Sequence, residues 1–257
     1  MISSPCGDQL GYGVGGEVLS KPRLVPESPS GIALAALRPS EYTAALIQVL
    51  QAKAGCVRGA SVLEIGSGSG VVLAALGKLG AASFCGIDIE EDAITSGMLL
   101  LDELGHGKTA EFHQGDMWRP ITGRRFDLIV ANLPHFPMER GDIPGRLPTW
   151  SAGGADGRRL LDPFLDGLGG HLLPGGRAII THNAFVDLGR SRETVARAGL
   201  GLRVVMTTLV YVPDQKLERM TRSVLAAEDG RSIHRYGPYA FAEMHIVEIG
   251  AAETLGC

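Results

Sequence analysis

Seven segments of strand length recur along the chain, most of them rich in apolar residues, at Val62 to Ile65, Ala82 to Ile87, Ala110 to Gln114, Phe126 to Ala131, Ala178 to Thr181, Leu202 to Tyr211 and Ala242 to Ile249. Between them the apolar positions move to helical spacing. Ser40 can cap a helix running to about Ala54, with Ala44, Leu46, Ile47, Val49 and Leu50 on its buried face. Val71 to Leu76 suits the first turns of a second helix, and Arg190 to Ala198 suits a later one. The helix from about Glu91 to Leu104 carries Ile94, Met98, Leu101 and Leu104 as a core stripe. Strands alternating with helices make this an α/β chain.

The two ends of the pattern differ from its middle. Residues 1–38 are rich in Gly, Pro and Ser without a clear period, and read as an N-terminal extension lying over the body or over a ligand mouth. The main domain then spans residues 39–250. Between its last two strands, Asp214 to Tyr239 is longer than a hairpin needs. Its cations Lys216, Arg219, Arg222, Arg231 and Arg235 nearly balance Asp214, Glu218, Glu228 and Asp229, as on a solvated helix and loop. As an insertion, residues 214–240 are also a candidate substrate lid, with Tyr236 and Tyr239 reaching into the cleft.

Composition narrows the class. With 257 residues, 45% of them hydrophobic, the chain can bury a sizeable core. A net charge of −4 supplies no global basic field, which disfavours nucleic acid as a partner. Cys6, Cys56, Cys85 and Cys257 form neither a C-x-x-C pair nor a metal-ligand spacing, so free thiols in a reducing compartment are expected and no metal is. The first residues lack a basic start and an export-length apolar core, and no run approaches about 18 apolar residues. A cytoplasmic protein without a membrane partner is the expectation.

The first strand ends in Glu64-Ile65-Gly66-Ser67-Gly68-Ser69-Gly70 and leads into a helix. Glycines let a backbone turn sharply and present its N–H groups to a ligand, because no Cβ intervenes. The spacing differs from the dinucleotide fingerprint G-x-G-x-x-G. Instead E-x-G-x-G-x-G resembles the signature of class I S-adenosylmethionine-dependent methyltransferases. That resemblance implies a Rossmann-like, seven-stranded, mostly parallel sheet flanked by helices with the last strand antiparallel. It also implies S-adenosyl-L-methionine as cofactor, S-adenosyl-L-homocysteine as product, and Glu64, Gly66, Ser67, Gly68 and Gly70 as cofactor-binding residues. Asp88, with Ile89 beside it, stands about twenty residues past the glycines at the tip of the second strand, where a carboxylate accepts ribose hydroxyls. Its alternative role is a helix cap. After the third strand comes Gly115-Asp116-Met117. The resemblance makes Asp116 an acceptor for the adenine amino group and Met117 a cover for the ring; the alternative for Asp116 is a turn before Pro120.

At the end of the fourth strand stands Asn132-Leu133-Pro134-His135. Open parallel sheets bind ligands outside their carboxyl strand ends, so this tetrapeptide should face the methyl donor, with Asn132 a cofactor contact as well as a catalytic residue. It resembles the N-P-P-Y motif of methyltransferases acting on planar nitrogen. A delocalised amide or aryl amino nitrogen is a poor nucleophile. An Asn side-chain oxygen and an adjacent backbone carbonyl can accept its N–H groups and aim it at the methyl group. Leu133 in place of the first proline loosens the backbone but keeps its carbonyl available, and His135 in place of the aromatic can still stack and can titrate near neutrality. Its alternative is an ordinary loop histidine beside Pro137.

Trp150-Ser151-Ala152-Gly153-Gly154-Ala155-Asp156-Gly157-Arg158, continuing to Phe164, resembles the segment following that motif in the HemK/PrmC group. Those enzymes methylate the glutamine side chain of a G-G-Q tripeptide in peptide-chain release factors. The resemblance implies N-methylation of a side-chain amide or amino nitrogen in a protein, peptide or amino-acid-derived small molecule. The alternatives are methylation of an exocyclic amino group in DNA or RNA, and a non-catalytic binding module. The first 38 residues are too short and too poor in helical period to match the helical domain preceding the catalytic part in bacterial members. His182 and Asn183, at the end of the fifth strand, either line the substrate pocket or cap that strand.

Overall fold

The computed structural model describes residues 39–139 and 151–255. The N-terminal extension and Trp150 lie outside them. The chain runs α1 (Glu41–Ala52), α2 (Ala54–Val57), β1 (Ser61–Ile65), α3 (Val71–Lys78), β2 (Ser83–Asp88), α4 (Glu91–Glu103), β3 (Ala110–Gln114) and β4 (Phe126–Ala131). There follow α5 (Leu161–His171), β5 (Leu172–Asn183), α6 (Leu188–Ala196), β6 (Gly201–Val212), α7 (Asp214–Leu217), α8 (Arg222–Glu228), β7 (Ile233–Tyr236) and β8 (Tyr239–Gly250).

The strands join one sheet in the order β3-β2-β1-β4-β5-β8-β6, with β7 paired to β8. The first five are mutually parallel, and β8 enters antiparallel between β5 and β6. This is the expected mostly parallel sheet, with short β7 as an additional strand. From β1 the chain steps outward to β3, then returns to the other side of β1 for β4. The reversal opens a crevice at the carboxyl ends of β1 and β4, where such sheets bind ligands.

Apolar residues on both faces of the central strands explain the layers. Val62, Leu128, Val130 and Ile179 pack with Leu46, Leu50, Leu73 and Leu76 of α1 and α3. On the opposite face, Leu63, Ile65, Ile129 and Ile180 pack with Phe164, Leu165 and Leu168 of α5 and Val195 of α6. Lys53, at the end of α1, is tied to β8 through Glu248, which also pairs with Arg177 and Arg203. Among the described residues no helix is long and apolar enough to cross a membrane.

Two helices are rotated from the expected stripe. In α1 the buried face is Thr43, Ala45, Leu46, Val49 and Leu50, whereas Ala44 is exposed. In α4 it is Ala93, Gly97 and Leu101, leaving Met98 and Leu104 at the surface. In α4 the cause is close packing at small residues. A Cβ on Gly97 would lie 2.4 Å from the Phe112 ring, and one on Gly70 only 2.8 Å from the Gly97 Cα. Gly97→Ala should therefore lower stability by about 1–2 kcal/mol in chemical denaturation, because overpacking exceeds the gain in helix propensity.

Candidate active site

The glycine bend is shaped by its own backbone. Gly66, Gly68 and Gly70 adopt φ of 72°, 51° and 75°, the left-handed region that glycine enters without steric cost. The Gly66 and Ser67 N–H groups donate to the Ile87 carbonyl at 2.8 and 2.9 Å, stitching the bend to the end of β2. Asp88 completes the stitch: one carboxylate oxygen accepts from Gly68 N–H at 2.8 Å and the other from Glu90 N–H at 3.1 Å. Asp88 therefore orders the bend from the neighbouring strand tip. It does not cap α4, whose N-cap is Glu90. Ile89 is exposed just beyond.

Beneath the bend lies Glu64, 2% exposed, with its Oε2 left without a hydrogen-bond partner. Burial, and after it the nearby Asp88 carboxylate, push its pKa well above the ordinary carboxylate range, while a bond from the Leu73 backbone opposes the shift. A buried carboxyl with an idle oxygen fits a cationic ligand group. Ser67 Oγ is likewise buried without a partner.

At the tip of β3, Gly115 N–H donates to the Asp88 carbonyl at 2.9 Å. Asp116 follows, exposed, with its carbonyl accepting from Arg119 N–H at 3.2 Å in a turn. Met117 then takes φ 52°, a strained value for a residue with a side chain. Its side chain packs against the core.

The Asn132–His135 tetrapeptide lines a cavity of roughly 310 Å3, together with Tyr42 and Lys216 among others. Its other side reaches the bend: a Cβ on Gly66 would sit 3.3 Å from Leu133 Cδ2. The tetrapeptide thus stands between the glycine loop and the cavity. Asn132 is held by two hydroxyls: Thr181 Oγ1 donates to its Oδ1 at 2.9 Å, and its Nδ2 lies 3.5 Å from Thr43 Oγ1. A carboxamide oxygen has two lone pairs, so Oδ1 retains one for a ligand.

One expectation about this motif is narrowed and one is corrected. The Leu133 carbonyl is engaged by the His135 ring through Nδ1, which restricts it to its second lone pair. His135 is 4% exposed and turned back onto the backbone, so it presents no open face for stacking. Burial depresses its pKa to about 4, with the Leu133 bond opposing and Lys216 adding to the depression. It is neutral across the physiological range.

Besides Phe136 and Tyr211, the cavity is lined by an aromatic ring from α1, Tyr42. It meets His135 edge-on at 6.2 Å, and its hydroxyl donates to Asn183 Oδ1 at 2.8 Å. Asn183 lines the cavity, but fully buried His182 does not. Tyr236 and Tyr239 point outward, exposed, and stack around Phe241 and Tyr211. From the segment after β6, the cavity takes Pro213, Gln215 and Lys216 instead. Among the described residues Cys56 and Cys85 are free thiols. The grouping of Cys85, Glu111 and His113 has metal-ligand distances, yet Arg124 already contacts both the Cys85 thiol and the Glu111 carboxylate.

A reversal of strand order, a glycine bend pinned by an acidic strand tip, and an Asn-x-Pro corner at the next strand end define a class I methyltransferase. Comparison with known proteins agrees: residues 62–144 match a family model described as a methyltransferase domain. A Methanocaldococcus jannaschii protein provisionally named protein N5-glutamine methyltransferase is 30% identical over 163 residues, covering 63% of this chain and 80% of that protein. The release factor glutamine methyltransferase of Moorella thermoacetica is 26% identical over 170 residues, 64% of this chain but only 59% of the relative. Among solved structures, a chain of the E. cuniculi Mtq2–Trm112 complex, responsible for methylation of the termination factor eRF1, aligns with a TM-score of 0.52 at 16% identity, covering 85% of this chain and 100% of that one. The chain belongs to the class I S-adenosylmethionine-dependent methyltransferases and resembles their HemK/PrmC group.

Proposed function

We propose that the protein transfers a methyl group from S-adenosyl-L-methionine to the side-chain carboxamide nitrogen of a glutamine in a protein. The observation carrying this reading is Asn132, whose Oδ1 is aligned by Thr181 on the wall of a cavity separated from the glycine bend only by the tetrapeptide, Leu133 of which packs against Gly66. The names of the two curated relatives support glutamine as acceptor.

Bound at the bend, the cofactor would supply an electrophilic methyl group on a sulfonium. Its amino-acid end carries an ammonium, which suits the idle Oε2 of Glu64. Asp88 would accept from the ribose, and Asp116 and Met117 would flank the adenine. On the acceptor side, Asn132 Oδ1 takes one N–H of the carboxamide and the remaining lone pair of the Leu133 carbonyl takes the other. These bonds hold the nitrogen with its π lone pair directed out of the amide plane. As the C–S bond breaks to leave the thioether and positive charge develops on nitrogen, both acceptors strengthen, so they favour the transition state over the ground state. One N–H proton is then lost to solvent, leaving the neutral N-methyl amide.

Glu64 gives this reading a pH signature. Its pKa in the free protein is raised, and a neighbouring ammonium favours the ionised form. Below the raised pKa, binding must expel a proton; above it, none is released. Affinity for S-adenosylhomocysteine should therefore rise with pH and level off once free Glu64 is ionised. Calorimetry in buffers of different ionisation enthalpy should show proton release on the rising limb; pH-independent affinity would remove Glu64 from the cofactor site.

The acceptor is tested by incubating the protein with methyl-labelled donor and a peptide-chain release factor, then locating the label by tandem mass spectrometry. One methyl on a glutamine side chain is expected. Labelling of a co-incubated RNA instead would replace the acceptor assignment.

A further inference from the structure

The segment after the cavity motif, Ser151 to Asp162, does not itself line the methyl-transfer site beyond Ser151, yet its packing is unusually exacting. Its backbone pairs with the chain that follows His135. Phe136 N–H donates to the Ser151 carbonyl at 3.1 Å, Gly153 N–H to the Phe136 carbonyl at 2.7 Å, and Gly154 N–H to the Met138 carbonyl at 3.1 Å. Two glycines then rest on His135 itself. A Cβ on Gly153 would lie 2.7 Å from the His135 Cα, and one on Gly157, whose φ is 79°, would lie 2.6 Å from the His135 carbonyl oxygen. Neither position has room for a side chain, so the loop lies directly against the His135 backbone.

The loop is tied down by Arg159 on the Ala152 carbonyl, by Arg190 on Asp156 and Asp162, and by Arg158, whose side chain is 2% exposed. Its Nε donates to Asp162 Oδ1 at 2.7 Å, and its Nη1 to the Asp187 carbonyl at 2.7 Å and to Ser191 Oγ at 3.1 Å. Ser191 Oγ in turn lies 2.9 Å from His182 Nε2, and His182 Nδ1 lies 2.9 Å from the Asn183 carbonyl. His182 sits on β5 between Thr181, which aligns Asn132, and Asn183, which holds the Tyr42 hydroxyl. Burying a guanidinium costs several kcal/mol before its partners offset it, and an apolar side chain would often serve stability as well. A geometric requirement accounts for the arginine better than a stability requirement does.

We propose that Arg158 is a positioning residue for methyl transfer: through Gly153 and Gly157 on one side and Ser191 and His182 on the other, it fixes the backbone of Leu133 to His135 and the end of β5 against one another. The acceptor corner and its aligning hydroxyl then keep one geometry. This rests on the preceding reading for its kinetic arm but not for its structural arm.

Arg158→Gln and Ser191→Ala variants, confirmed folded by circular dichroism, test it against wild type by three measurements. Calorimetry with S-adenosylhomocysteine should give affinities within about twofold of wild type, while turnover on a Gly-Gly-Gln peptide should fall roughly 10- to 100-fold for Arg158→Gln and less for Ser191→Ala, as expected for misplacement on the order of an ångström. Nitrogen-15 NMR should show the His135 ring, assigned with a His135→Gln variant, losing its fixed Nδ1–H tautomer; Arg158→Lys should restore part of both signals. If folded variants keep the wild-type His135 resonance, or lose donor affinity in proportion to turnover, the positioning role is wrong. Should Arg158→Gln fail to fold, the milder Ser191→Ala decides by the same criteria. If wild type leaves the peptide unmethylated, the acceptor reading fails, and the His135 resonance alone still decides the positioning role.

Discussion

Asn132→Ala is expected to cut methyl transfer by roughly 100-fold or more, the scale set by loss of one preorganised group that acts as charge develops, while S-adenosylhomocysteine affinity stays within about twofold of wild type. The reasoning is differential. In the free protein the Asn132 amide bonds Thr181 and approaches Thr43, and neither contact belongs to the glycine bend. Its loss therefore leaves the donor site formed. On the proposed reading, what disappears is an oxygen aimed at a nitrogen that becomes cationic only as the methyl arrives, so the effect should fall on kcat and kcat/KM together. Stability should drop modestly, because Thr181 loses its acceptor in a partly buried site. Full turnover in a folded Asn132→Ala protein would rule out a planar-nitrogen mechanism at this corner.

Asp88→Ala should show the opposite division. Its carboxylate accepts from the Gly68 and Glu90 N–H groups, so the substitution strips two anchors from the bend and its exit, as well as the expected ribose contact. Charge-assisted bonds contribute about 1.5–3 kcal/mol each, and each 1.4 kcal/mol is about tenfold in affinity. Donor affinity should fall roughly 10- to 100-fold, allowing for partial replacement by water. Turnover at saturating donor should be largely preserved, since no group beside the acceptor is altered. Calorimetry and saturation kinetics check both halves, and unchanged affinity would remove Asp88 from the donor site.

The parallel core was legible because its central strands are apolar on both faces and the strands end in punctuating residues. Ala110 to Gln114 and Phe126 to Ala131 are strands with the expected bounds. Faces of helices were harder to read where small residues pack. In α4 the burial of Gly97 against Phe112 and Gly70 turns the helix so that Met98 faces solvent, and side-chain hydrophobicity alone carries no sign of such contact. Short β7 lies in a segment with nearly balanced charges and weak alternation, so its pairing with β8 had no local signal.

The site divides in the same way. Glu64, Asp88 and Asn132 sit at strand ends, where local pattern and topology together fix location. Tyr42 comes from the first turn of α1, far away in sequence, and no local pattern marks it. For His135 the sequence leaves stacking and a packed loop histidine both open, because its partner is a backbone carbonyl two residues back, a bond that depends on the turn and not on the residue type. The Gly153 to Arg158 segment could be recognised by resemblance alone. Its contact with His135 depends on tertiary packing.

The most direct test of the central claim is a crystal structure with S-adenosylhomocysteine and a glutamine-containing peptide bound. The account predicts the peptide carboxamide nitrogen within hydrogen-bond distance of Asn132 Oδ1, its π face toward the cofactor sulfur held at the Gly66 to Gly70 bend. A glutamine bound elsewhere, or Asn132 directed away from the nitrogen, would contradict it.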